Sequence, residues 1–145
     1  MELKFQVQAK IRKPVDEVFE AVHNPEKLSA YFTNGGASGP LDEGKSVTWK
    51  FKEFPGTFPV QVTKVINNKK IAIEWSLPGS SVVPAEFSFD ALGDQSTLIR
   101  ISCWGFKENQ NSLDESYSHC SGWMQMLCSL KAYLEYEKIL RAFFF

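Results

Sequence analysis

The chain opens with a regular alternation of apolar and polar residues. From residue 3 to residue 11 the odd positions are apolar and the even positions are polar. An alternation with a period of two predicts a β-strand with one buried face. Pro14 then stands where the first turn of a helix accepts proline, and apolar residues follow it at helical spacing. Asn24 and Pro25 repeat this start signal, so the sequence predicts two short helices after the first strand.

Five further stretches alternate in the same way, with turn residues between them. Their apolar faces are Val47/Trp49/Phe51, Phe58/Val60/Val62, Ile71/Ile73/Trp75, Ala85/Phe87/Phe89 and Thr97/Ile99/Ile101/Cys103. Strands joined by short turns indicate an antiparallel meander. These five stretches fit an order of one strand, two short helices, about six strands and then the last third of the chain.

The last third of the chain changes period and predicts one long amphipathic helix over residues 114 to about 141. Its apolar stripe, at spacings of three and four residues, is Trp123, Met126, Leu127, Leu130, Tyr133 and Leu134. Ser112 and Glu115 have the spacing of a capping box, which places the start of the helix near them. Gly122 inside the helix costs about 1 kcal/mol relative to alanine, and we expect a close approach of the backbone to the sheet to explain it.

Composition and charge remove several classes of function. The 145 residues, with 43% hydrophobic and 23% charged positions, fit one globular domain over residues 1–145. The net charge of −1 and the lack of a basic run argue against a nucleic-acid surface. No apolar run approaches the roughly 20 residues that cross a bilayer, so no membrane partner is expected. The lack of a signal peptide and the three cysteines without a C-x-x-C pair favour a cytoplasmic protein.

Catalytic and metal-binding patterns are scarce. The chain has two histidines, His23 and His119, and neither belongs to a spacing typical of a metal site. No phosphate-binding glycine motif occurs, so no cofactor is predicted. His119 lies four residues before Trp123 and hence on the stripe of the long helix, where it is either a hydrogen-bonded residue at a cavity mouth or, less expectedly, an acid or base. We predict no catalytic residue and no metal ligand.

Three motifs resemble those of a known family. They are PVDEVFEAV at 14–22 with NPEKL at 24–28, TLIRI at 97–101, and GWMQMLCSLKAYLE at 122–135. In this order they resemble the START-like helix-grip (SRPBCC) superfamily and, within it, the homologues of the activator of heat-shock-protein-ninety ATPase. The resemblance implies an α+β helix-grip fold, also called START-like or Bet v-like. In that fold a curved antiparallel sheet of about six to seven strands wraps around the long C-terminal helix.

The sheet faces and the helix stripe direct one set of side chains toward each other. The predicted ligand-binding residues are Trp49, Phe51, Phe58, Trp75, Phe87, Phe89, His119, Trp123, Met126, Leu127 and Leu130. If these side chains interdigitate completely, they form only a core; if they leave a gap, the gap is an apolar pocket. Helix-grip folds commonly hold a cavity at this place, so the resemblance favours the pocket.

The primary functional prediction is therefore non-enzymatic binding of a small hydrophobic molecule between the sheet and the helix. One alternative, implied by the family, is a co-chaperone-like module that stimulates a chaperone ATPase through protein contact. A second alternative is a cyclase- or hydrolase-like enzyme, for which only His119 would qualify as acid or base. The tail formed by Phe143, Phe144 and Phe145 is unusually apolar, so it either folds back onto the sheet or is buried against a partner such as a second copy of the chain.

Overall fold

A seven-stranded antiparallel sheet and three helices make up the fold in the computed structural model, which describes residues 1–142 and 144–145. In chain order the elements are β1 (Leu3–Ile11), α1 (Val15–His23), α2 (Pro25–Tyr31), β2 (Gly36–Ala37), β3 (Ser46–Phe51), β4 (Phe54–Ile66), β5 (Lys70–Trp75), β6 (Val83–Ala91), β7 (Thr97–Phe106) and α3 (Gln110–Tyr136). The strands lie in the order β1-β7-β6-β5-β4-β3-β2. The predicted α+β helix-grip arrangement is confirmed, while the prediction that residues 1–145 form one domain stays a prediction.

The register of the sheet follows from the alternating pattern. Val7 of β1 pairs with Ile101 of β7, and Ile101 pairs in turn with Phe87 of β6. The inward faces of β3 to β7 are buried, whereas the inward residues of β1 before Ile11 are only half-buried. Because β1 is an edge strand, one side of it has no strand to cover it.

The two short helices connect β1 to the rest of the sheet. Pro14 precedes α1, and Asn24 caps α2 by accepting a hydrogen bond from the Glu26 backbone N–H at 2.9 Å. The Tyr31 hydroxyl at the end of α2 donates to the Ala21 carbonyl at 3.0 Å, which holds the two helices together. The predicted start signals of both helices are therefore confirmed.

The long helix α3 begins earlier and ends earlier than the sequence predicts. Asn109, rather than Ser112, caps it: the Asn109 side chain accepts a hydrogen bond from the Ser112 backbone N–H at 2.8 Å. The helix ends at Tyr136 because Glu137 adopts a left-handed conformation with φ of 54°. The chain after Glu137 is therefore a tail rather than a further turn of helix, and the prediction of a helix to about residue 141 is wrong.

The position of α3 on the sheet is uneven. Its backbone lies closest to β1 and, to a lesser extent, to β7. Lys131 fastens it there, because its ammonium donates to the Lys10 carbonyl of β1 at 2.6 Å and lies 2.6 Å from the Glu135 carboxylate. The helix thus lies over the β1 side of the sheet and leaves room toward β3, β4 and β5.

Gly122 does not lie at a close approach of the helix backbone to the sheet, so the explanation predicted for this glycine is wrong. A Cβ atom built at Gly122 would meet no atom within 4 Å. Gly35 shows the opposite situation, since a Cβ there would lie 2.8 Å from the Lys50 carbonyl carbon. The space at Gly122 belongs to a pocket.

No helix in the described part of the chain is long and apolar enough to cross a membrane.

Candidate ligand pocket

A pocket of about 690 Å³ lies between the N-terminal half of α3 and the far strands of the sheet. The turn between β3 and β4 forms one wall, and the loop between β5 and β6 forms another. The residues of the wall that matter for its chemistry are Phe32, Phe51, Phe54, Phe58, Trp75, Tyr117, His119, Gly122, Trp123, Arg141 and Phe145. The pocket lies on the side of α3 that faces away from β1, where large side chains such as His119 and Trp123 meet the far strands.

The structure separates the predicted ligand-binding residues into two groups. Phe51, Phe58, Trp75, His119 and Trp123 line the pocket. The other six are buried and do not line it: Trp49, Phe87, Phe89, Met126, Leu127 and Leu130. All eleven side chains point into the space between sheet and helix, but only the first group borders the gap. That the first group binds a ligand stays a prediction.

Aromatic side chains form a continuous packed layer beneath the pocket. The ring centroids of Trp75 and Trp123 lie 5.2 Å apart, and Phe87 packs edge-on against Trp123 at 5.3 Å. Trp49 touches both tryptophans, at 5.6 Å from Trp75 and 6.4 Å from Trp123. Such edge-to-face contacts stabilise a fixed arrangement of rings, so Trp75 and Trp123 present a preformed surface.

Three side chains of the pocket wall carry a buried polar atom without a hydrogen-bond partner among the described residues. These atoms are Trp75 Nε1, Trp123 Nε1 and His119 Nδ1. The same holds for Trp49 Nε1, behind the wall. A buried donor left without a partner costs about 1–3 kcal/mol. These three atoms lie close together behind a wall that is mostly aromatic and also carries Ser118, Ser121, Gln125 and Arg141.

His119 is the titratable group at the centre of this wall. Its ring lies 5.7 Å from Trp75 and 5.5 Å from Phe106, each in an edge-on arrangement. Burial lowers the pKa of the imidazole, and the opposing effect of the Glu115 carboxylate is smaller. The ring is therefore neutral at pH 7. His23, by contrast, does not line the pocket and pairs with Asp42 at 2.7 Å.

Arg141 is a wall residue that the sequence analysis missed. Its side chain is 8% exposed, and its Nε lies 2.5 Å from a Glu53 carboxylate oxygen. Asn34 donates to the other Glu53 oxygen at 2.5 Å. The guanidinium also lies over the rings of Phe51 and Phe145, at 4.8 Å and 5.0 Å from their centroids. The sequence signal for this role is a single cation within an apolar tail. The prediction that α3 continues to about residue 141 assigned Arg141 to the helix instead.

The mouth of the pocket is apolar and exposed. Phe54, Tyr117 and Phe145 are 44%, 62% and 60% exposed and border the opening. The rings of Phe54 and Phe145 lie 5.3 Å apart, so the end of the tail rests on the β3–β4 turn of its own chain. Phe144 is also exposed. Phe143, the remaining member of the predicted contact, lies outside the described residues.

The cysteines and acidic residues contribute little reactive chemistry to this wall. Burial raises the pKa of the Cys103 thiol to about 12, which keeps it protonated and unreactive. Of the described residues that border the pocket, none is an aspartate, a glutamate or a cysteine. Across residues 1–142 and 144–145, no group of three histidines, cysteines or acidic residues is placed to hold a metal ion.

The sheet, the long helix and the pocket between them define the class of protein: a START-like, helix-grip domain of the SRPBCC type. Residues 12–135 match the family described as activator of Hsp90 ATPase homolog 1-like protein, and the chain belongs to that family. The resemblance inferred from the three sequence motifs is therefore confirmed.

Solved structures of the same fold are similar along nearly the whole chain. A Staphylococcus saprophyticus protein is 23% identical, with a TM-score of 0.81 and coverage of 96% of each chain. The Aha1 dimer from Colwellia psychrerythraea is 21% identical, with a TM-score of 0.78, and the match covers 94% of this chain and 98% of that one. DynU16, a protein from the dynemicin biosynthetic locus, is 24% identical at a TM-score of 0.81, and the match covers 93% of this chain but 48% of DynU16. At these identities the likeness shows the fold alone. No curated protein matches the chain in a sequence comparison.

Proposed function

We propose that this protein binds a small hydrophobic molecule in the pocket between α3 and the far strands of the sheet, and releases it unchanged. The observation that carries the proposal is the open, aromatic-walled pocket of about 690 Å³. Its volume falls within the range of about 300–1,000 Å³ that is typical of small-molecule sites. The packed ring layer beneath it supports the wall before any ligand arrives.

Burial of apolar surface would supply the binding free energy. Removing about 300 Å² of apolar ligand and wall surface from water is worth about 7.5 kcal/mol, at roughly 25 cal/mol per Å². Association costs oppose this gain, so we expect affinities in the micromolar range or weaker for a purely apolar ligand.

The make-up of the wall supports binding over turnover. Nucleophilic catalysis requires a nucleophile, a base and commonly a third group that orients the base. Ser118 and Ser121 border the pocket and His119 is a neutral base, but no carboxylate among the described wall residues orients that base. The enzymatic alternative would need the bound molecule itself, or a residue outside this wall, to provide the missing group.

Gly122 offers a test that leaves the core intact. A phenylalanine at Gly122 would occupy space at the pocket, because Gly122 borders it and a Cβ there meets no atom within 4 Å. We expect the wild-type chain to bind the neutral probe N-phenylnaphthylamine saturably, with a rise in probe fluorescence. Gly122→Ala is the matched control and should keep this binding, whereas Gly122→Phe should weaken it at least about tenfold, or about 1.4 kcal/mol.

Two outcomes would contradict the proposal: no saturable binding by the wild-type chain, or equal binding by the alanine and phenylalanine variants. Native mass spectrometry of gently purified wild-type protein adds a second readout. An extra mass that disappears in Gly122→Phe but remains in Gly122→Ala would support the pocket and give the composition of the natural ligand.

A protein-interaction function is the second candidate, and the exposed aromatic mouth is the observation that favours it. Phe54, Tyr117, Phe144 and Phe145 expose apolar surface that a partner protein would cover. The family description names an activator of the Hsp90 ATPase. If this chain acts in that way, added protein should raise the ATPase rate of an Hsp90, and Tyr117→Ser should reduce the effect more than Gly122→Phe does. An unchanged ATPase rate would contradict this candidate.

A homodimer through the tail is a related proposal, and one solved relative is an Aha1 dimer. Phe144 and Phe145 are exposed, although Phe145 also packs on Phe54 of its own chain. Sedimentation of the full chain and of a chain lacking residues 143–145 would test it. A dimer that becomes a monomer on deletion would support the tail contact, whereas the same mass for both chains would contradict it.

A further inference from the structure

We propose that the pocket accepts neutral molecules and excludes anions of the same skeleton, and that Glu53 sets this selectivity by neutralising Arg141. Arg141 borders the pocket, whereas Glu53 does not. The inference rests on the proposed function, to which it adds the charge class of the ligand and a residue that determines it.

Arg141 supplies the positive charge of the described pocket wall. The described wall residues include no lysine, aspartate or glutamate. The buried ring of His119 is neutral at pH 7, because burial lowers its pKa. An unpaired cation at Arg141 would attract an acidic ligand, since charges interact strongly across a partly buried, apolar site. The partner of Arg141 therefore decides which charge the wall side chains present to a ligand.

The structure pairs this cation with Glu53. Arg141 Nε lies 2.5 Å from one Glu53 carboxylate oxygen, and the Asn34 amide donates to the other oxygen at 2.5 Å. The side chains of Arg141 and Glu53 are only 8% and 18% exposed. Salt and water screen such a pair much less than a pair on the surface. The two charges therefore largely cancel at the pocket wall.

Aromatic rings also surround the guanidinium. Its central carbon lies 4.8 Å from the ring centroid of Phe51, 5.0 Å from that of Phe145 and 5.6 Å from that of Phe32. These rings stabilise the cation in its present position. An anionic ligand would either compete with the Glu53 carboxylate for Arg141 or lose its water without a countercharge, which is strongly unfavourable.

A neutral molecule avoids both penalties. Binding sites commonly gain specificity by making the unwanted ligand costly to bind, and not only by improving contacts to the preferred one. A purely structural role is the alternative: the ion pair would then serve only to attach the tail to the turn between β3 and β4. In that case the choice between neutral and anionic ligands would not depend on the charge of Glu53.

Two probes with a common skeleton measure the selectivity. N-phenyl-1-naphthylamine is neutral, and 8-anilinonaphthalene-1-sulfonate is the same molecule with an added sulfonate that is ionised at pH 7. Equilibrium dialysis of the full chain against each probe, with the bound fraction measured by chromatography, gives two dissociation constants. We expect the wild-type chain to bind the neutral probe at least about tenfold more tightly.

Three variants assign this preference to the ion pair. Glu53→Gln keeps an acceptor oxygen for Arg141 but removes the countercharge, so the ratio of the two constants should fall at least about fivefold through tighter sulfonate binding. The double variant Glu53→Gln/Arg141→Gln removes both charges and should restore the wild-type ratio. Asp90→Asn is the matched control: it changes the net charge equally, but its partner Arg100 does not border the pocket, and the ratio should not change.

Near-ultraviolet circular dichroism and cooperative thermal unfolding establish that each variant is folded. The double variant adds a second control, because a loosened protein would bind the sulfonate probe with or without the Arg141 charge. If Glu53→Gln does not fold, Arg141→Gln takes its place. Glu53 then carries an uncompensated negative charge, and the preference for the neutral probe should rise at least about threefold.

The outcomes separate this inference from the proposed function. Equal affinities of the wild-type chain for the two probes, or tighter binding of the sulfonate, overturn the inference and leave the apolar pocket in place. A ratio that stays unchanged when the ion pair loses one charge, or that falls as far in the double variant as in Glu53→Gln, also overturns it. Binding of neither probe overturns both the inference and the proposed function.

Discussion

The two halves of α3 carry one continuous apolar stripe but meet different surroundings. In the C-terminal half, Met126, Leu127 and Leu130 are fully buried against the sheet. In the N-terminal half, His119 and Trp123 border an open pocket, with Gly122 between them in sequence order. The helix as a whole lies closest to β1, and its N-terminal half meets the far strands through large side chains such as Trp123, whose ring lies 5.2 Å from that of Trp75. An apolar stripe therefore specifies which face of a helix turns inward, but not whether side chains of the sheet fill the space beneath that face.

Truncation at the packed half should have the largest effect on stability. Leu127→Ala removes a side chain that has no exposed surface and should lower the free energy of unfolding by about 3 kcal/mol, within the range of about 2–5 kcal/mol for such changes. Phe54→Ala at the mouth of the pocket should cost less than about 1 kcal/mol, because that ring is 44% exposed. Urea unfolding measures both, and equal losses would remove the distinction between the packed half of α3 and the mouth of the pocket.

A substitution at Arg141 measures how strongly its ion pair with Glu53 holds the tail against the pocket wall. Arg141→Gln leaves the Glu53 carboxylate with only Asn34 as a partner, so we expect a loss of about 2 kcal/mol, below the 3–5 kcal/mol of a fully buried pair because the tail can detach locally. Hydrogen exchange should become faster after residue 136. Arg100→Gln is the control, since its pair with Asp90 is solvent-exposed and should change stability by less than about 0.5 kcal/mol. Equal effects of the two substitutions would show that the Arg141 pair has no special role.

Alanine substitutions at Gly122 and Gly35 should change the free energy of unfolding in opposite directions. Gly122→Ala should raise the free energy of unfolding by about 1 kcal/mol, because alanine favours the helix and its Cβ enters empty space. Gly35→Ala should destabilise the protein, since its Cβ would lie 2.8 Å from the Lys50 backbone. Denaturant unfolding of the two variants gives the signs directly. A loss of stability in Gly122→Ala would mean that the pocket is narrower at α3 than the structure shows.

His119 predicts a modest dependence of stability on pH. Burial lowers its pKa in the folded protein, so the unfolded chain binds the proton first as the pH falls. Stability is therefore complete above the unfolded pKa of about 6.5 and is lost as the pH falls through that value toward the lower folded pKa. His119→Phe should remove this part of the pH dependence. The free energy of unfolding of both chains should be measured from about pH 7.5 to about pH 5, a window set around the unfolded pKa of about 6.5. If it falls equally with pH in both chains, the prediction is wrong.

The strands and the two short helices could be predicted because local signals specify them. The alternation from Leu3 to Ile11 and the Asn24 cap each act within a few residues, and both appear in the structure. The end of α3 could not be predicted in the same way, because the apolar residues 139 and 140 extend the helical pattern past Tyr136. A left-handed residue at Glu137 follows from no residue preference, since glycine or asparagine is usual there.

The candidate site could be predicted only as a set of inward-facing side chains. Trp49 and Trp75 both face the helix from neighbouring parts of the sheet, yet only Trp75 borders the pocket. The choice between them depends on where a 27-residue helix lies over the sheet, which the alternation of a strand does not encode. Arg141 joins the wall through the return of the tail, and its contact with Glu53 spans 88 residues of sequence.

The attachment of α3 to β1 also concerns the order in which the chain is made. Lys131 donates to the Lys10 carbonyl across 121 residues, and β1 has β7 as its strand neighbour. During synthesis at about 5–20 residues per second, the first strand leaves the ribosome on the order of ten seconds before the helix that covers it. The apolar face of β1 stays without its native partners for that time. The nascent protein therefore exposes apolar surface that is buried only when α3 has been synthesised.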